Sequence, residues 1–223
     1  MQEADMKIHY YLGWFTEYFP VKLEKSLKED IMERKSLVMI SSMPAADDNI
    51  GTTERSWLNH ADIKFDEYHL INYRVQKEHA QSLIQNASAI FLLGGDTVEQ
   101  NAFIKEYGLA DAIRQSDAVV LGASAGAINM SAKWLCSRNF GYDVEESNLY
   151  EGIGLGNFSV LSHFDLENNM EMVRSELALL SEELPVYASN KDCALRVKGD
   201  HLDILGDVYL IARSEIKKLD ETL

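Results

Sequence analysis

Ser124 stands in a sequence context that is typical of a catalytic nucleophile. Residues 118–127 read AVVLGASAGA, an apolar and β-rich run that ends in the pentapeptide GASAG. A strand that turns sharply into a helix imposes strained backbone angles on the residue at its tip, so the flanking residues must be small. A helix that starts after the serine also directs free N–H groups toward the serine oxygen. The pattern predicts an exposed serine prepared for acyl transfer, although non-catalytic glycine-rich turns share it.

His163 is the histidine best placed to activate Ser124 as a general base. A serine hydroxyl needs a base to take its proton, and imidazole titrates close to neutral pH. His163 ends the apolar run Phe158–Ser162, so we expect it at the C-terminal edge of a sheet, where the Ser124 turn must also lie. His201 precedes a strand in a Gly-Asp-His turn and should lie elsewhere.

A second turn, formed by Gly94 and Gly95, follows the apolar run Ala89–Leu93. Without Cβ atoms, the backbone here can approach a bound substrate closely. We expect Gly95 and Ala125 to donate the two backbone hydrogen bonds of an oxyanion hole, with Gly94 and Asp96 beside them in the substrate-binding region. The alternative is a tight turn in which Asp96 caps the next helix.

The composition argues against several classes of partner and cofactor. The 36 acidic and 21 basic side chains give a formal net charge of −15, which disfavours binding to nucleic acid or to an anionic membrane surface. Cys136 and Cys193 lie far apart and form no C-x-x-C motif, and the six histidines show no metal-ligand spacing. We therefore expect no metal and no cofactor.

The length and the first residues favour a single domain in the cytoplasm. A chain of 223 residues suits one α/β domain, here residues 1–223. Met1 to Asp5 lack the basic and apolar regions of a signal peptide, and no run approaches the ~18 apolar residues of a membrane span. Two cysteines without a disulfide pattern fit a reducing compartment.

Short apolar runs alternate with amphipathic segments in the first half of the chain. The runs predict strands at Ile8–Leu12, Leu37–Ile40, His69–Tyr73, Ala89–Leu93 and Ala118–Leu121. Apolar residues at three- and four-residue spacing predict helices at Val21–Glu33, Thr52–Ile63, Val75–Gln85 and Thr97–Arg114. This alternation predicts an α/β fold with a mostly parallel sheet covered on both faces.

The pattern is less regular beyond Ser124. We expect an extended segment at Ser131–Phe140, a polar turn-rich stretch to Asn148 and a helix at Leu166–Leu180. Four short runs predict partly antiparallel closing strands, at Val186–Ser189, Cys193–Val197, Leu202–Leu205 and Val208–Ile211. Irregular segments beside the C-terminal edge of a sheet often shape a pocket.

Three segments together share the order and spacing of a known family. They are LLGGDTVEQ at Leu92–Gln100, LGASAGA at Leu121–Ala127 and LSHF at Leu161–Phe164. Over roughly residues 35–212 the chain resembles the peptidase E (aspartyl dipeptidase) and cyanophycinase family of serine peptidases. The resemblance implies a three-layer αβα, flavodoxin-like fold similar to that of the class I glutamine amidotransferases, with Ser124 at a nucleophile elbow after a central strand. It also implies hydrolysis of short peptides that contain aspartate. It also implies a homodimer.

The same resemblance assigns roles to individual residues. It implies Ser124 as nucleophile, His163 as base, and Gly95 and Ala125 as oxyanion donors. The family places a carboxylate that orients the histidine in the segment corresponding to Ala188–Ala194. Here Lys191 stands at that position, and the adjacent Asp192 is the available substitute.

Recognition of an aspartyl side chain calls for an arginine, whose guanidinium binds a carboxylate through two parallel hydrogen bonds. The helix expected after His163 contains Arg174, and Arg138 follows the Ser124 motif. These two arginines are the candidates for substrate binding.

Two alternatives to a serine peptidase stay open from the sequence. An esterase of the α/β-hydrolase type would use the same serine motif, with Asp143 or Asp192 as acid and His201 as base. A binding protein of the same fold could have lost catalysis, as Lys191 and Leu161 suggest. A strained, glycine-flanked serine argues against this second alternative, because a site no longer in use has little reason to keep it.

Overall fold

The computed structural model describes residues 7–46, 51–162, 166–213 and 215–223. The strands are β1 (Ile8–Leu12), β2 (Ser36–Ile40), β3 (Glu67–Ile71), β4 (Ala89–Leu92), β5 (Val119–Ala123), β6 (Lys133–Cys136), β7 (Asn148–Glu151), β8 (Ser159–Ser162), β9 (Val186–Ser189), β10 (Ala194–Lys198), β11 (His201–Leu205), β12 (Val208–Ala212) and β13 (Glu215–Lys218). The helices are α1 (Val21–Asp30), α2 (Thr52–His60), α3 (Lys77–Gln85), α4 (Thr97–Tyr107), α5 (Leu109–Gln115), α6 (Ala125–Met130), α7 (Leu166–Glu176) and α8 (Ala178–Glu183).

Seven strands form a central sheet in the order β11-β10-β1-β5-β4-β2-β3. The strands β1, β5, β4, β2 and β3 are parallel, whereas β10 and β11 are antiparallel to their neighbours. Strand β5 lies in the middle of this sheet, between β1 and β4. The prediction of a mostly parallel sheet is confirmed, and Ser124 follows its central strand.

Helices cover both faces of the central sheet, because successive side chains of each buried strand point to opposite faces. In β5, Val120 belongs to one apolar core and Leu121 to another. Residues of α3, α4, α5 and α6 complete the core on the Val120 side, and residues of α1 and α2 complete the core on the Leu121 side. The arrangement is a mixed α/β fold with helical layers on either side of the sheet.

A second sheet, in the order β13-β12-β9-β8, corrects one sequence-based expectation. The apolar run Phe158–Ser162 contains β8, which does not join the central sheet. In β8, Val160 packs in the core shared with α6, whereas Leu161 packs in a third core with α7 and α8. Strand β8 therefore has two apolar faces and lies between layers of helices.

Of the four predicted closing strands, only two reach the central sheet. These are β10 and β11, which extend the sheet beside β1. Strands β9 and β12 instead pair with each other, and β9 pairs with β8. Alternation of side chains is the same for strands of either sheet, so the pattern could not assign them.

Among the boundaries that differ from the prediction, two have a local reason in the structure. The helix expected at Thr97–Arg114 is interrupted at Gly108, which adopts left-handed backbone angles with φ 61° and separates α4 from α5. The strand expected at His69–Tyr73 ends at Ile71. There Asn72 accepts a hydrogen bond from the Arg74 N–H through its side chain and turns the backbone.

Candidate active site

Ser124 occupies the turn between β5 and α6 with a backbone conformation that is rare for a residue with a side chain. Its angles are φ 51° and ψ −109°. The Ser124 N–H donates a hydrogen bond of 2.9 Å to the Leu12 carbonyl, and the Ser124 carbonyl accepts one of 3.0 Å from the Ile128 N–H. The side chain is half-buried, whereas its neighbours in the turn are buried. The turn thus presents this serine at the C-terminal edge of the central sheet.

The glycines on either side of Ser124 allow helix and strand to approach each other. A Cβ on Gly122 would lie 2.6 Å from the carbonyl carbon of Gly126 and 2.8 Å from the Ala127 nitrogen. A Cβ on Gly126 would overlap the carbonyl group of Leu92 in β4. Both contacts are with backbone, which cannot move aside cheaply. The prediction that the flanking residues must be small is confirmed in the packing.

The Gly94-Gly95 turn lies at the same edge, on the strand next to β5. Leu92 pairs with Gly122 across β4 and β5, so the two turns follow neighbouring parallel strands. A Cβ on Gly94 would lie 3.5 Å from the Ala123 carbonyl oxygen, directly before Ser124. Gly95 has φ 135°, a value that residues with a Cβ rarely adopt. The structure therefore brings Gly94, Gly95, Ser124 and Ala125 together.

Two side chains that the sequence analysis did not single out hold the Gly94 backbone. The Ser42 hydroxyl donates a hydrogen bond of 2.5 Å to the Gly94 carbonyl, and the Glu54 carboxylate accepts one of 3.0 Å from the Gly94 N–H. Burial raises the pKa of Glu54, and the hydrogen bond from the Gly94 N–H partly offsets this rise. In the sequence Glu54 resembles a surface residue of an amphipathic helix, so no signal marked it. Ser42 lies two residues past the end of β2, at the same edge of the central sheet as Gly94.

Asp96 takes the capping role that was the alternative in the sequence analysis. Its side chain accepts a hydrogen bond of 2.8 Å from the Glu99 N–H at the start of α4. Asp96 also lines a cavity of about 500 Å³ beside Gly95, together with Glu99 and Asp143. Among the residues that the structure describes, its lining includes three carboxylates and no basic side chain. Tyr142, which also lines it, has a pKa raised to about 12 by burial.

Asp192 lies at the same sheet edge, but its carboxylate is engaged by another residue. It precedes β10, whose Ala194 pairs with Leu12 at the end of β1. Asp192 has φ 54°, and its carboxylate accepts hydrogen bonds from the Thr16 backbone N–H at 2.9 Å and from the Thr16 hydroxyl at 3.3 Å. Lys191, the residue at the position corresponding to the family's carboxylate, is exposed.

His163 lies outside the described residues, so its relation to Ser124 stays a prediction. The strand that precedes it is described and packs against the helix that follows Ser124. The Val160 N–H donates a hydrogen bond of 3.0 Å to the Ser131 hydroxyl, and the Ala132 N–H donates one of 3.0 Å to the Phe158 carbonyl. The two substrate-binding candidates, Arg138 and Arg174, are both exposed.

His201, the base of the esterase alternative, lies at the opposite edge of the central sheet. His201 pairs with Lys198, and Lys198 pairs with Ile8 at the beginning of β1. Ser124 instead follows Ala123, which pairs with Leu12 at the other end of β1. The His201 imidazole contacts the Asp203 carboxylate at 2.9 Å. Asp203 in turn binds Arg196 at 2.7 Å. His201 therefore belongs to an ion-pair cluster remote from Ser124.

Buried amide side chains link the helices behind the two turns. The Asn129 side chain in α6 donates hydrogen bonds to the Thr97 carbonyl at 3.0 Å and to the Gln100 side chain at 3.1 Å. It accepts a hydrogen bond of 2.9 Å from the Asn101 side chain. Gln100 also donates to the carbonyls of Ile40 and Leu93. The contacts of Asn129 fix α4 relative to α6, and those of Gln100 fix α4 relative to the ends of β2 and β4, so the two turns are held relative to each other.

The described ranges contain neither a candidate membrane helix nor a candidate metal site. Within them, no helix is both long and apolar enough to cross a membrane. Across the same part of the chain, no cluster of three or more His, Cys, Asp or Glu side chains is arranged to hold a metal ion.

Comparison with protein families and individual proteins gives a consistent result. Residues 22–205 match peptidase family S51. A cyanophycinase from Geminocystis herdmanii is 26% identical to the chain over 142 residues, which is 60% of this chain and 52% of that protein. The matched region thus spans about half the length of this curated relative.

Two solved structures share the fold. A peptidase from an acI-B1 actinobacterium superposes with a TM-score of 0.71 at 22% identity, over 97% of this chain and 95% of the other. A candidate peptidase E from Listeria monocytogenes superposes with a TM-score of 0.62 at 14% identity, over 90% of this chain and 98% of the other. At these identities, the similarity shows the fold alone.

Proposed function

We propose that this chain, which belongs to peptidase family S51, is a serine peptidase that hydrolyses short peptides. The family membership confirms the resemblance to peptidase E and cyanophycinase. The observation that carries the proposal is the backbone of Ser124, with φ 51° at the end of the central strand. A strained conformation persists only where the surrounding structure enforces it, and such residues cluster at functional sites. We interpret this turn as a nucleophile elbow in a fold of the class I glutamine amidotransferase type.

The proposed reaction proceeds through an acyl-enzyme. His163 takes the proton of the Ser124 hydroxyl while Oγ attacks the carbonyl carbon of the scissile peptide bond. The tetrahedral intermediate collapses as the carbon–nitrogen bond breaks, and the departing amine takes the proton from His163. Water then attacks the ester, giving its proton to His163. Ser124 recovers its proton as the acid product leaves.

The negative oxygen of the intermediate needs backbone donors close to Ser124. We assign this role to the N–H groups of Gly95 and Ala125. Gly95 lies in the turn beside Ser124, and within the described part of the chain its N–H has no acceptor. The Ala125 N–H belongs to the first turn of α6, where an amide has no acceptor within the helix. Removal of one such donor typically costs a factor of about 10²–10³ in rate.

The preferred substrate is the finer part of the proposal. The family resemblance favours peptides that contain aspartate. In the cavity beside Gly95, however, the side chains of Asp96, Glu99 and Asp143 would oppose a second carboxylate. A panel of Asp-Leu, isoaspartyl, neutral and lysyl dipeptides measures the preference directly. Faster hydrolysis of Asp-Leu than of the neutral and lysyl members supports the aspartyl preference.

Covalent labelling with a fluorophosphonate tests the proposed nucleophile and base. We expect mass spectrometry to locate the label on Ser124, and expect the variants Ser124→Ala and His163→Ala to lose it. His201→Ala is the matched control, because His201 is an exposed histidine at the opposite sheet edge. Labelling that depends on His201 would favour the esterase. A folded protein that neither takes the label nor cleaves any dipeptide would favour the binding protein.

A further inference from the structure

The peptide unit between Gly94 and Gly95 has a feature that the proposed reaction leaves unexplained. Its carbonyl oxygen is held by a side chain from another strand connection, the Ser42 hydroxyl, at 2.5 Å. Ser42 is fully buried, so its hydroxyl has little access to water as an alternative partner. A buried hydroxyl is kept where it satisfies a specific acceptor.

The geometry of a trans peptide connects this carbonyl to the adjacent amide. In a planar trans unit the C=O and the N–H point in opposite directions. A hydroxyl that fixes the direction of the Gly94 carbonyl therefore also fixes the direction of the Gly95 N–H. A hydrogen bond accepted by the carbonyl further polarises the amide and strengthens it as a donor.

The space around Gly95 is consistent with a fixed orientation. A Cβ on Gly95 would overlap the Ser42 hydroxyl and lie 3.2 Å from the Ser42 Cβ. The N–H of the preceding residue, Gly94, is held separately by Glu54 at 3.0 Å. The two peptide units on either side of Gly94 are thus each held by a side chain, which restricts the backbone angles of Gly94 and, with them, rotation of the Gly94–Gly95 unit.

We infer that Ser42 is a positioning residue for the oxyanion hole: its hydroxyl holds the Gly94 carbonyl so that the Gly95 N–H faces the reacting oxygen. This inference rests on the proposed function, because it needs Ser124 as the nucleophile. Ser42 itself does not touch the substrate. Its contribution is to the rate of the covalent step, with little effect on reversible binding.

The test compares Ser42→Ala with Ser116→Ala in the full-length protein. Ser116 is a matched control, since it is also buried and donates a hydrogen bond of 3.0 Å to a backbone carbonyl, that of Ile113, before β5 begins. The fluorophosphonate reaction separates reversible binding, KI, from the covalent rate constant, kinact. We expect Ser42→Ala to lower kinact at least about tenfold with KI nearly unchanged. We expect Ser116→Ala to change neither.

The outcomes distinguish the two proposals. Labelling of Ser124 at the native rate in folded Ser42→Ala overturns the positioning role and leaves the proposed function intact. A native protein that takes no label at Ser124 overturns the proposed function, and the inference with it. A parallel loss of binding and rate in Ser42→Ala indicates a structural role and also overturns the inference.

A second measurement does not depend on whether Ser42→Ala folds. We expect a crystal structure of the native protein, phosphonylated at Ser124, to show the phosphonyl oxygen bound to the Gly95 N–H while Ser42 still holds the Gly94 carbonyl. A phosphonyl oxygen turned away from Gly95, or a broken bond between Ser42 and Gly94, contradicts the inference.

Discussion

The N–H of Ser124 is bound to the carbonyl oxygen of Leu12 at 2.9 Å, which ties the turn after β5 to the end of the adjacent strand β1. On the other side, Gly126 packs against the backbone of Leu92 in β4. The turn is therefore held by both neighbours of the central strand. These two attachments explain how a residue with a side chain keeps a φ of 51°.

The contact between Gly126 and Leu92 predicts a large loss of stability in Gly126→Ala. The added methyl group would overlap a backbone carbonyl in the sheet, so we expect the free energy of unfolding to fall by about 3 kcal/mol. Urea denaturation measures the change. Gly141→Ala is the control, because Gly141 has φ 87° but no atom within 4 Å of its Cβ position. The free energy of unfolding of Gly141→Ala should fall by only about 1 kcal/mol, from backbone strain. Equal losses in the two variants would contradict the packing argument.

Local patterns were sufficient to predict the five parallel strands of the central sheet and the turn at Ser124. The strand at Ile8–Leu12 has its predicted boundaries, and Gly122 and Gly126 are required for the reason expected from the sequence. Buried parallel strands are continuous apolar runs, and a glycine needed for close backbone approach is visible in the sequence itself.

Long-range pairing could not be predicted in the same way. Strand β8 has the alternation of a sheet strand, but nothing in its residues specifies which of two sheets it joins. Glu54 illustrates the same limit at the site. It lies 40 residues before Gly94 and reads as a polar residue of a surface helix, yet it is buried against the Gly94 N–H. Such roles arise from tertiary contacts between distant segments.

The carboxylate of Asp192 binds Thr16 in the structure, and its proposed role in catalysis is to orient His163. If Asp192 orients His163, we expect Asp192→Asn to lower kcat by about tenfold or more, because the amide favours the wrong imidazole tautomer. Thr16→Val is the control, since it removes the hydroxyl contact of 3.3 Å and keeps the backbone N–H bond of 2.9 Å. Steady-state hydrolysis of the best dipeptide measures both. Similar small losses in the two variants would restrict Asp192 to holding the loop at Thr16.

The carboxylates beside Gly95 predict how charge affects substrate preference. Replacing Asp143 by Asn removes one negative charge from the cavity lining. We expect kcat/KM for Asp-Leu to rise by about two- to fivefold at low ionic strength, and the gain to shrink as salt is added. A neutral dipeptide should show no such change. Glu145→Gln is a control, because Glu145 is an exposed acidic residue that does not line this cavity. An equal gain in Glu145→Gln would indicate an effect of total charge.

His9 predicts a loss of stability in mild acid. Burial in β1, with a smaller contribution from Lys7, lowers the pKa of His9 from 6.5 to about 4. As the pH falls below 6.5, the unfolded chain takes up a proton that the folded protein excludes, so stability is lost between about pH 6.5 and 4. The full effect is roughly 3 kcal/mol. We expect His9→Leu to weaken this dependence in urea denaturation at several pH values. The exposed His79 on α3 gives the control His79→Gln, which should retain it. If His9→Leu loses as much stability in acid as the native protein, groups other than His9 cause the loss.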